Sequence, residues 1–387
     1  LFMLIQVPFY KGQEYGYQYK NVMTKLKFLS MEKDNSIDVM FLGDSEGKAA
    51  FDSLSLFHEH GISSYNLCTN FQWAIDTVAL TNHMYASQKP KLVVMEASFI
   101  LTTLRKRRIL LAKYLPIFNY HELYKQYLLN PEKPDAFKGF SPTDKAIPFT
   151  GSLEYMTEDS SYYPIDAWTL NYLQQVKESL EKQGTKLLLV SAPNPLYWNT
   201  AKHNAIQAWC DQNQVTYVDY NLKLDELNLN WQEDYRDGGD HLNSKGAKKF
   251  IKALGQYLQE NYNLNDHRND SQYADWEEDY KTLYKMNKLM YSAPLYFIVF
   301  LPAVIMLYQL CPQKFRKYVL LVANYVFFYT WSKFFLVYQV ITMVITYVSA
   351  KIIDHTTNKK TKKFILFAAI VINLGVLVIL KYTNFLG

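Results

Sequence analysis

The solvent this chain is written for changes near residue 286, and that change constrains its folding more than any motif. Before it, short apolar runs alternate with amphipathic and polar stretches. After it come four segments, "APLYFIVFLPAVIMLYQLC", "YVLLVANYVFFYTW", "FFLVYQVITMVITYVSA" and "FILFAAIVINLGVLVIL", each apolar without an amphipathic period. A helix in a globular core needs one apolar stripe, whereas a helix in lipid must be apolar nearly all round. Residues 286–387 are therefore expected to form an all-α transmembrane part. The second and third segments, joined only by Ser332 and Lys333, are read as two spans rather than one kinked element.

Charge sets the orientation. Lys314, Arg316 and Lys317 follow the first segment, and Lys351, Lys359, Lys360, Lys362 and Lys363 precede the last. With four spans both loops lie on one side, and the excess of cations makes that side cytoplasmic. The preceding part then faces outward, which predicts a cell-membrane protein with an extracytoplasmic domain. The opening "LFMLIQVPFYKGQ" is too short to span a bilayer, which takes about 20 apolar residues. Residues 1–9 are read as the end of a truncated span, the alternative being an apolar strand. With no Met at its start, the chain reads as a fragment. Met286 or Met290 is a candidate start of a second protein, joined by fusion or readthrough.

Residues 10–262 read as an α/β domain. Val39–Leu42, Leu92–Glu96, Lys186–Val190 and Thr216–Val218 are short strand candidates, mostly rich in Val, Leu or Ile, as in a parallel sheet covered on both faces. Helical patterns lie between them. Asp166 to Gln183 aligns Leu170, Leu173, Val176 and Leu180, with Asp166 as N-cap and Gly184 as C-cap. Ser244 to Tyr262 aligns Ala247, Phe250, Ile251, Leu254 and Leu258. Strands alternating with helices predict a three-layer sandwich around a mostly parallel sheet. Residues 105–165, with "RKRR" at Arg105–Arg108, read as an insertion running over the surface. The basic run is read as a solvated face, with binding of an anionic polymer as the lesser alternative. Residues 263–285 read as a polar linker or surface helix.

Composition excludes some functions. The net charge is only +5, and no basic run is interleaved with aromatics as a nucleic-acid groove requires. Cys68, Cys210 and Cys311 have no metal-binding spacing. A Cys68–Cys210 disulfide would need the fold to bring the two together. No metal or cofactor is implied.

The chemistry concentrates in "IDVMFLGDSEGKAAF". An apolar strand breaks into Gly43-Asp44-Ser45, placing a hydroxyl at the strand's C-terminal end, where parallel sheets bind ligands. A helix starting there offers free N–H groups to an oxyanion. The competing explanation is a capping Asp or Ser. A nucleophilic Ser needs a base. Of eight histidines, His241 has the telling setting, "RDGGDHLNSKGAKKF", with Asp237 and Asp240 just before it and a helix after it. Either carboxylate can orient the imidazole through its second nitrogen.

These residues resemble the SGNH (GDSL-like) hydrolase and acyltransferase superfamily, over about residues 37–261. The resemblance implies a flavodoxin-like sheet with Ser45 as nucleophile and His241 as base. The family places its Asp three residues before the His; here that position is Gly238. Asp237 is chosen because a glycine-pair turn can absorb one residue, and Asp240 is the alternative. "SYNLCTNFQWAID" resembles the second family block, with Asn70 or Phe71 where an oxyanion glycine is expected. "KLVVMEASF" resembles the third, with Ser98 nearest the expected Asn. Gly43 would allow the tight turn, and "SAPNPLYWN" would lie on the same rim. The segment "MYSAPLYFIVFLPAVIMLYQLCP", the "FFYTW" of Phe327–Trp331 and the final "LKYTNFLG" resemble the start of a membrane-bound O-acyltransferase, as in alginate O-acetylation.

Together the resemblances imply acyl transfer. A membrane-bound O-acyltransferase supplies an acyl group, most simply acetyl, across the membrane. Ser45 takes it as an ester, and a hydroxyl of a cell-surface polysaccharide receives it. Alternatives are a polysaccharide esterase, a non-catalytic glycan-binding or scaffold partner, and D-alanyl transfer to teichoic acid.

Overall fold

The computed structural model describes residues 6–285, 296–331 and 333–386. The chain separates into two compact units, Leu1–Leu283 and Tyr284–Gly387.

The first unit is built on five parallel strands: β1 (Val39–Leu42), β2 (Ser64–Asn66), β3 (Leu92–Glu96), β4 (Lys186–Ser191) and β5 (Thr216–Asp219), in the order β2-β1-β3-β4-β5. Four of these match the apolar runs read from the sequence. β2 does not announce itself, because Ser-Tyr-Asn is short and largely polar; it exists through its register, Val39 opposite Ser64 and Phe41 opposite Asn66. The order reverses between β1 and β3, and at such a switch point the loops leaving the two strands diverge and open a crevice.

Eight helices of this unit matter for the site and its frame. They are α1 (Tyr19–Leu29), α2 (Ser45–Ala50), α3 (Ser53–His60), α4 (Ala74–Met84), α5 (Ala167–Lys182), α6 (Thr200–Asn213), α7 (Ser244–Asn261) and α8 (Ala274–Lys285). α4 packs against α1 and α5, while α7 packs against α2 and α3, so helices form two outer layers. Val39, Phe41, Val94, Leu188 and Val190 join Phe250, Ile251, Leu254 and Leu258 of α7 in one buried cluster. Phe51 stacks on Phe41 with centroids 4.3 Å apart, and Phe250 lies 6.0 Å from Phe51. The neighbouring strand residues Met40, Leu42, Val93 and Met95 point to the other face by the strand's period of two and are equally buried. Asp166 caps α5 by accepting from the Trp168 N–H, and the chain leaves that helix through Gly184 at φ +73°.

The polar stretch 263–285 is not uniformly exposed. Tyr273, Trp276 and Tyr280 recur at helical spacing and are buried. Trp276 lies 5.2 Å from the Phe57 ring, Tyr280 stacks on His58 at 3.9 Å, and Tyr273 donates to the Ser36 carbonyl at 2.8 Å. These aromatics dock α8 on the first unit; its many carboxylates masked that face in the sequence. Cys68 and Cys210 are both buried and unpaired, so the conditional disulfide does not form.

In the second unit the helices are α9 (Leu301–Leu310), α10 (Arg316–Trp331), α11 (Lys333–His355) and α12 (Lys359–Leu386), each packed on the next. The expected all-α character is present. The expected transmembrane character is not shown: among the described residues, no helix is long and apolar enough to cross a membrane. α9 has ten residues, about 15 Å at 1.5 Å per residue, against a hydrocarbon core of about 30 Å. α12 opens with Lys359, Lys360, Lys362 and Lys363, which shortens its apolar part. Residues 1–5 of the expected N-terminal span, residues 286–295 with both candidate start methionines, and Ser332 between the second and third segments lie outside the described residues.

Candidate active site

β1 ends in Gly43, whose φ of +148° suits only glycine; a Cβ there would meet the Glu96 Cβ at 2.8 Å. Asp44 caps the following turn, its Oδ1 accepting from the Glu46 N–H at 3.1 Å. Ser45 is the first residue of α2, so its own N–H has no acceptor within the helix.

His241 reaches Ser45 from 196 positions along the chain, with Nε2 2.8 Å from Oγ. Its other nitrogen, Nδ1, lies 2.7 Å from Asp237 Oδ2 and 3.0 Å from Asp240 Oδ2. With carboxylates facing Nδ1, that nitrogen carries the proton and donates it, and Nε2 accepts the Ser45 hydroxyl. The loop explains how Asp237 reaches His241 from four residues away. Arg236 N–H donates to the His241 carbonyl at 3.0 Å, and Tyr235 pairs with Leu242, closing a tight hairpin. Gly238 and Gly239, at φ +80° and +107°, form its tip. Asp237 then grips the ring with Oδ2 and the His241 backbone N–H with Oδ1, the latter at 2.8 Å.

Distance and electrostatics rank the two carboxylates differently. Asp237 is the closer, but its side chain is one-third exposed and Arg236 Nε lies 3.7 Å away, partly neutralising it. Burial pulls the His241 pKa down; the hydrogen bond and charge of Asp240, with a smaller contribution from Asp237, outweigh burial and Arg236, and the net shift is upward. Burial likewise pushes Asp240 up, but hydrogen bonds with His241, Asn194 and Glu46 more than offset it and hold Asp240 below its usual range. Asp237 therefore fixes the geometry of the ring and Asp240 supplies most of the field.

A second layer of acids lies behind. Glu46, directly after Ser45, is driven far above the ordinary glutamate value by burial first, then by Glu96, Asp44 and Asp240. Asn194, on the loop after β4, donates to Glu46 Oε1 at 2.7 Å and to Asp240 Oδ1 at 3.1 Å. Glu96, at the end of β3, is pushed up to about 8 by burial and by Asp44. Asp44 is raised too, by burial, partly countered by the Glu46 N–H and Ser98. Among the described residues, Glu46, Asp240 and His241 are the one set whose ligand atoms lie close enough together, within 4.8 Å, that they could hold a divalent cation; here Asp240 is hydrogen-bonded to both of the others.

The other sequence candidates fare differently. Thr69 N–H donates to the Gly43 carbonyl at 3.1 Å, so Asn70 and Phe71 follow on a loop tied to the end of β1. Both are exposed, Phe71 by 79% and with φ +55°. Among the described residues neither backbone N–H has a protein acceptor, which leaves both open to a ligand. Ser98 is engaged: its hydroxyl bridges Glu96 and Asp44 Oδ1, the latter at 2.9 Å, and its N–H donates to Glu96 Oε2 at 2.9 Å. It supports Asp44 and is not a free oxyanion donor, because adjacent carboxylates take both of its donors. Glu46 and Glu96 escaped the sequence reading, whereas Asn194 belongs to the "SAPNPLYWN" segment expected on this rim. A Glu directly after the serine in "GDSE" and a carboxylate ending a buried apolar strand in "VVME" were the available signals.

The insertion also has a part. Ile147 and Phe149 N–H groups donate to the Tyr235 and Trp231 carbonyls, each at 2.9 Å, and Ser244 N–H donates to the Thr143 carbonyl at 2.9 Å. Residues 143–149 thus strap the loop that carries His241.

No family model matches the chain, and no curated protein matches it. Solved structures do. A putative acylhydrolase from Bacteroides fragilis is 13% identical, with 60% of this chain and 92% of that chain covered and a TM-score of 0.34. A GDSL-like lipase from Bacteroides thetaiotaomicron is 12% identical, covering 58% of this chain and 88% of its own, with a TM-score of 0.31. A protein described as a putative platelet activating factor from Streptococcus pneumonia is 15% identical, covering 61% and 90%, with a TM-score of 0.33.

Proposed function

We propose that the first unit is an SGNH-type serine acyl-transfer domain. The observation that carries this reading is the chain of contacts from Ser45 Oγ through both nitrogens of His241 to two carboxylates. His241 Nε2 removes the Ser45 proton as Oγ attacks an acyl carbonyl. The imidazolium that forms faces Asp237 and Asp240, which stabilise it. The Ser45 N–H and the open N–H groups of Asn70 and Phe71 are the candidate donors to the oxyanion. His241 then returns the proton to the leaving group, and the acyl group rests on Ser45 as an ester. In the second half-reaction His241 deprotonates an acceptor hydroxyl, which attacks the ester and frees Ser45.

The acceptor in this reading is a hydroxyl of a cell-surface polysaccharide and the acyl group is acetyl. The donor is a membrane-bound O-acyltransferase, whose N-terminal part residues 286–387 resemble, and the protein sits at the cell membrane with the first unit outside. The apolar, all-α character of the second unit supports a membrane setting, and hydrolysis alone would need no acyl supply. The test is incubation with p-nitrophenyl acetate, mass spectrometry for acetyl on Ser45, then addition of polysaccharide. Acetyl on Ser45 that moves to sugar supports transfer; prompt release to water alone identifies an esterase; no adduct on Ser45 overturns the mechanism.

A further inference from the structure

Helices Lys106–Tyr114, Ile117–Tyr120 and Leu123–Leu128 turn one side inward: Ile109, Ala112, Tyr120 and Leu123 are buried, Ala112, Tyr120 and Leu123 in a small cluster with Tyr19 and Met23 of α1. Their outward faces are not polar. Leu111, Tyr114, Phe118, Tyr124 and Leu128 are exposed by 46%, 62%, 61%, 58% and 77%. Val7 and Tyr10 extend the patch, because the N-terminal segment is tied to the same helices: Gln13 Nε2 donates to the Ala112 and Lys113 carbonyls at 3.1 and 2.8 Å. Among the described residues of the first unit, more than half of the exposed large apolar side chains lie in residues 105–128 or at Val7 and Tyr10. Scattered exposed apolar residues need no explanation, but a concentration does.

Cations interleave with these residues. Residues 105–128 carry six Lys or Arg and one acid, Glu122. Glu122 is held by Lys20 and Lys125, and Lys106 pairs with Asp166. Among the described residues no carboxylate pairs with Arg105, Arg107, Arg108 or Lys113. A soluble polyanion needs only the charges. Exposed leucines and aromatics beside unpaired cations suit an interface with an apolar interior under an anionic surface.

We infer that the outward face of residues 105–128, with Val7 and Tyr10, docks on the surface of an anionic lipid bilayer. The cations meet the headgroups, and Leu111, Phe118 and Leu128 enter the acyl boundary. This contact is independent of acylation at Ser45.

The test is backbone amide exchange in the full chain with three additions: vesicles of phosphatidylcholine with phosphatidylglycerol, vesicles of phosphatidylcholine alone, and soluble polyphosphate. The expected result is slowed exchange across 106–128 with the anionic vesicles only, about tenfold at a lipid concentration ten times the dissociation constant. Arg107→Gln with Arg108→Gln should weaken vesicle binding about fivefold per cation removed, and Leu111→Ser with Phe118→Ser should abolish the protection. These side chains are exposed, so unchanged thermal unfolding verifies that the variants fold. Equal protection by polyphosphate would make the face a polyanion site and overturn the inference. So would no protection by anionic vesicles, equal protection by neutral ones, or protection that survives both variants.

Discussion

Two carboxylates facing one ring nitrogen make a quantitative prediction. Asp237→Asn removes a charged hydrogen bond of 2.7 Å to His241 Nδ1 but leaves Asp240 at 3.0 Å to hold the same proton. Asp240→Asn does the reverse. A charged hydrogen bond is worth about 1.5–3 kcal/mol, and with the partner carboxylate still present each single change should sit at the low end, about tenfold in kcat/KM at 1.36 kcal/mol per decade. With both replaced, an amide hydrogen can point at Nδ1 and move the ring proton to Nε2, facing Ser45, where it blocks proton removal. That tautomer error costs about 10⁴ in a serine triad. The double variant should therefore be worse than the product of the singles by about 10², a coupling of the size seen between residues of one network. The assay is stopped-flow release of p-nitrophenol from its acetate ester, with thermal unfolding as a folding control. A double variant within about twofold of the product of the singles would show independent roles and refute the shared-proton account.

Ser45→Ala should abolish the acetyl adduct in mass spectrometry. It loses one half-buried hydrogen bond, about 1 kcal/mol, so the melting temperature should move by no more than about 4 °C. Gly43→Ala should destabilise by about 1–3 kcal/mol through its strained backbone, measured by urea unfolding, since φ is +148° and the new Cβ meets Glu96 Cβ at 2.8 Å. Glu96 is pushed up to about 8 by burial and Asp44. An unfolded glutamate titrates near pH 4.3, so the Glu96 contribution to stability is complete below that pH and is lost as pH rises towards about 8. Glu96→Gln should flatten this fall, read from melting temperatures between pH 4 and 9; an unchanged slope would place the titration elsewhere. Asp240→Asn also removes the main influence raising His241, so the acid limb of the pH–rate profile should move to lower pH.

What the sequence determined by itself is local. Short runs of three to five residues marked β1 and β3 with the observed bounds and β4 and β5 to within one residue, because a parallel strand buried on both faces has no polar side to disguise it. Helical spacing placed α5 and α7 and their inward faces for the same kind of reason. Gly43-Asp44-Ser45 and the glycine pair before His241 were legible because unusual backbone angles leave few choices of residue.

Only the tertiary structure decided what meets what. No spacing rule could bring Asn194 between Glu46 and Asp240, turn both donors of Ser98 to carboxylates, or lay residues 143–149 along the His241 loop. Those contacts follow from strand order and crossovers, which set distances between residues far apart in the chain. Periodicity records only which side of an element faces the core. The same limit hid β2, a three-residue edge held by its neighbour, and the docked aromatics of α8.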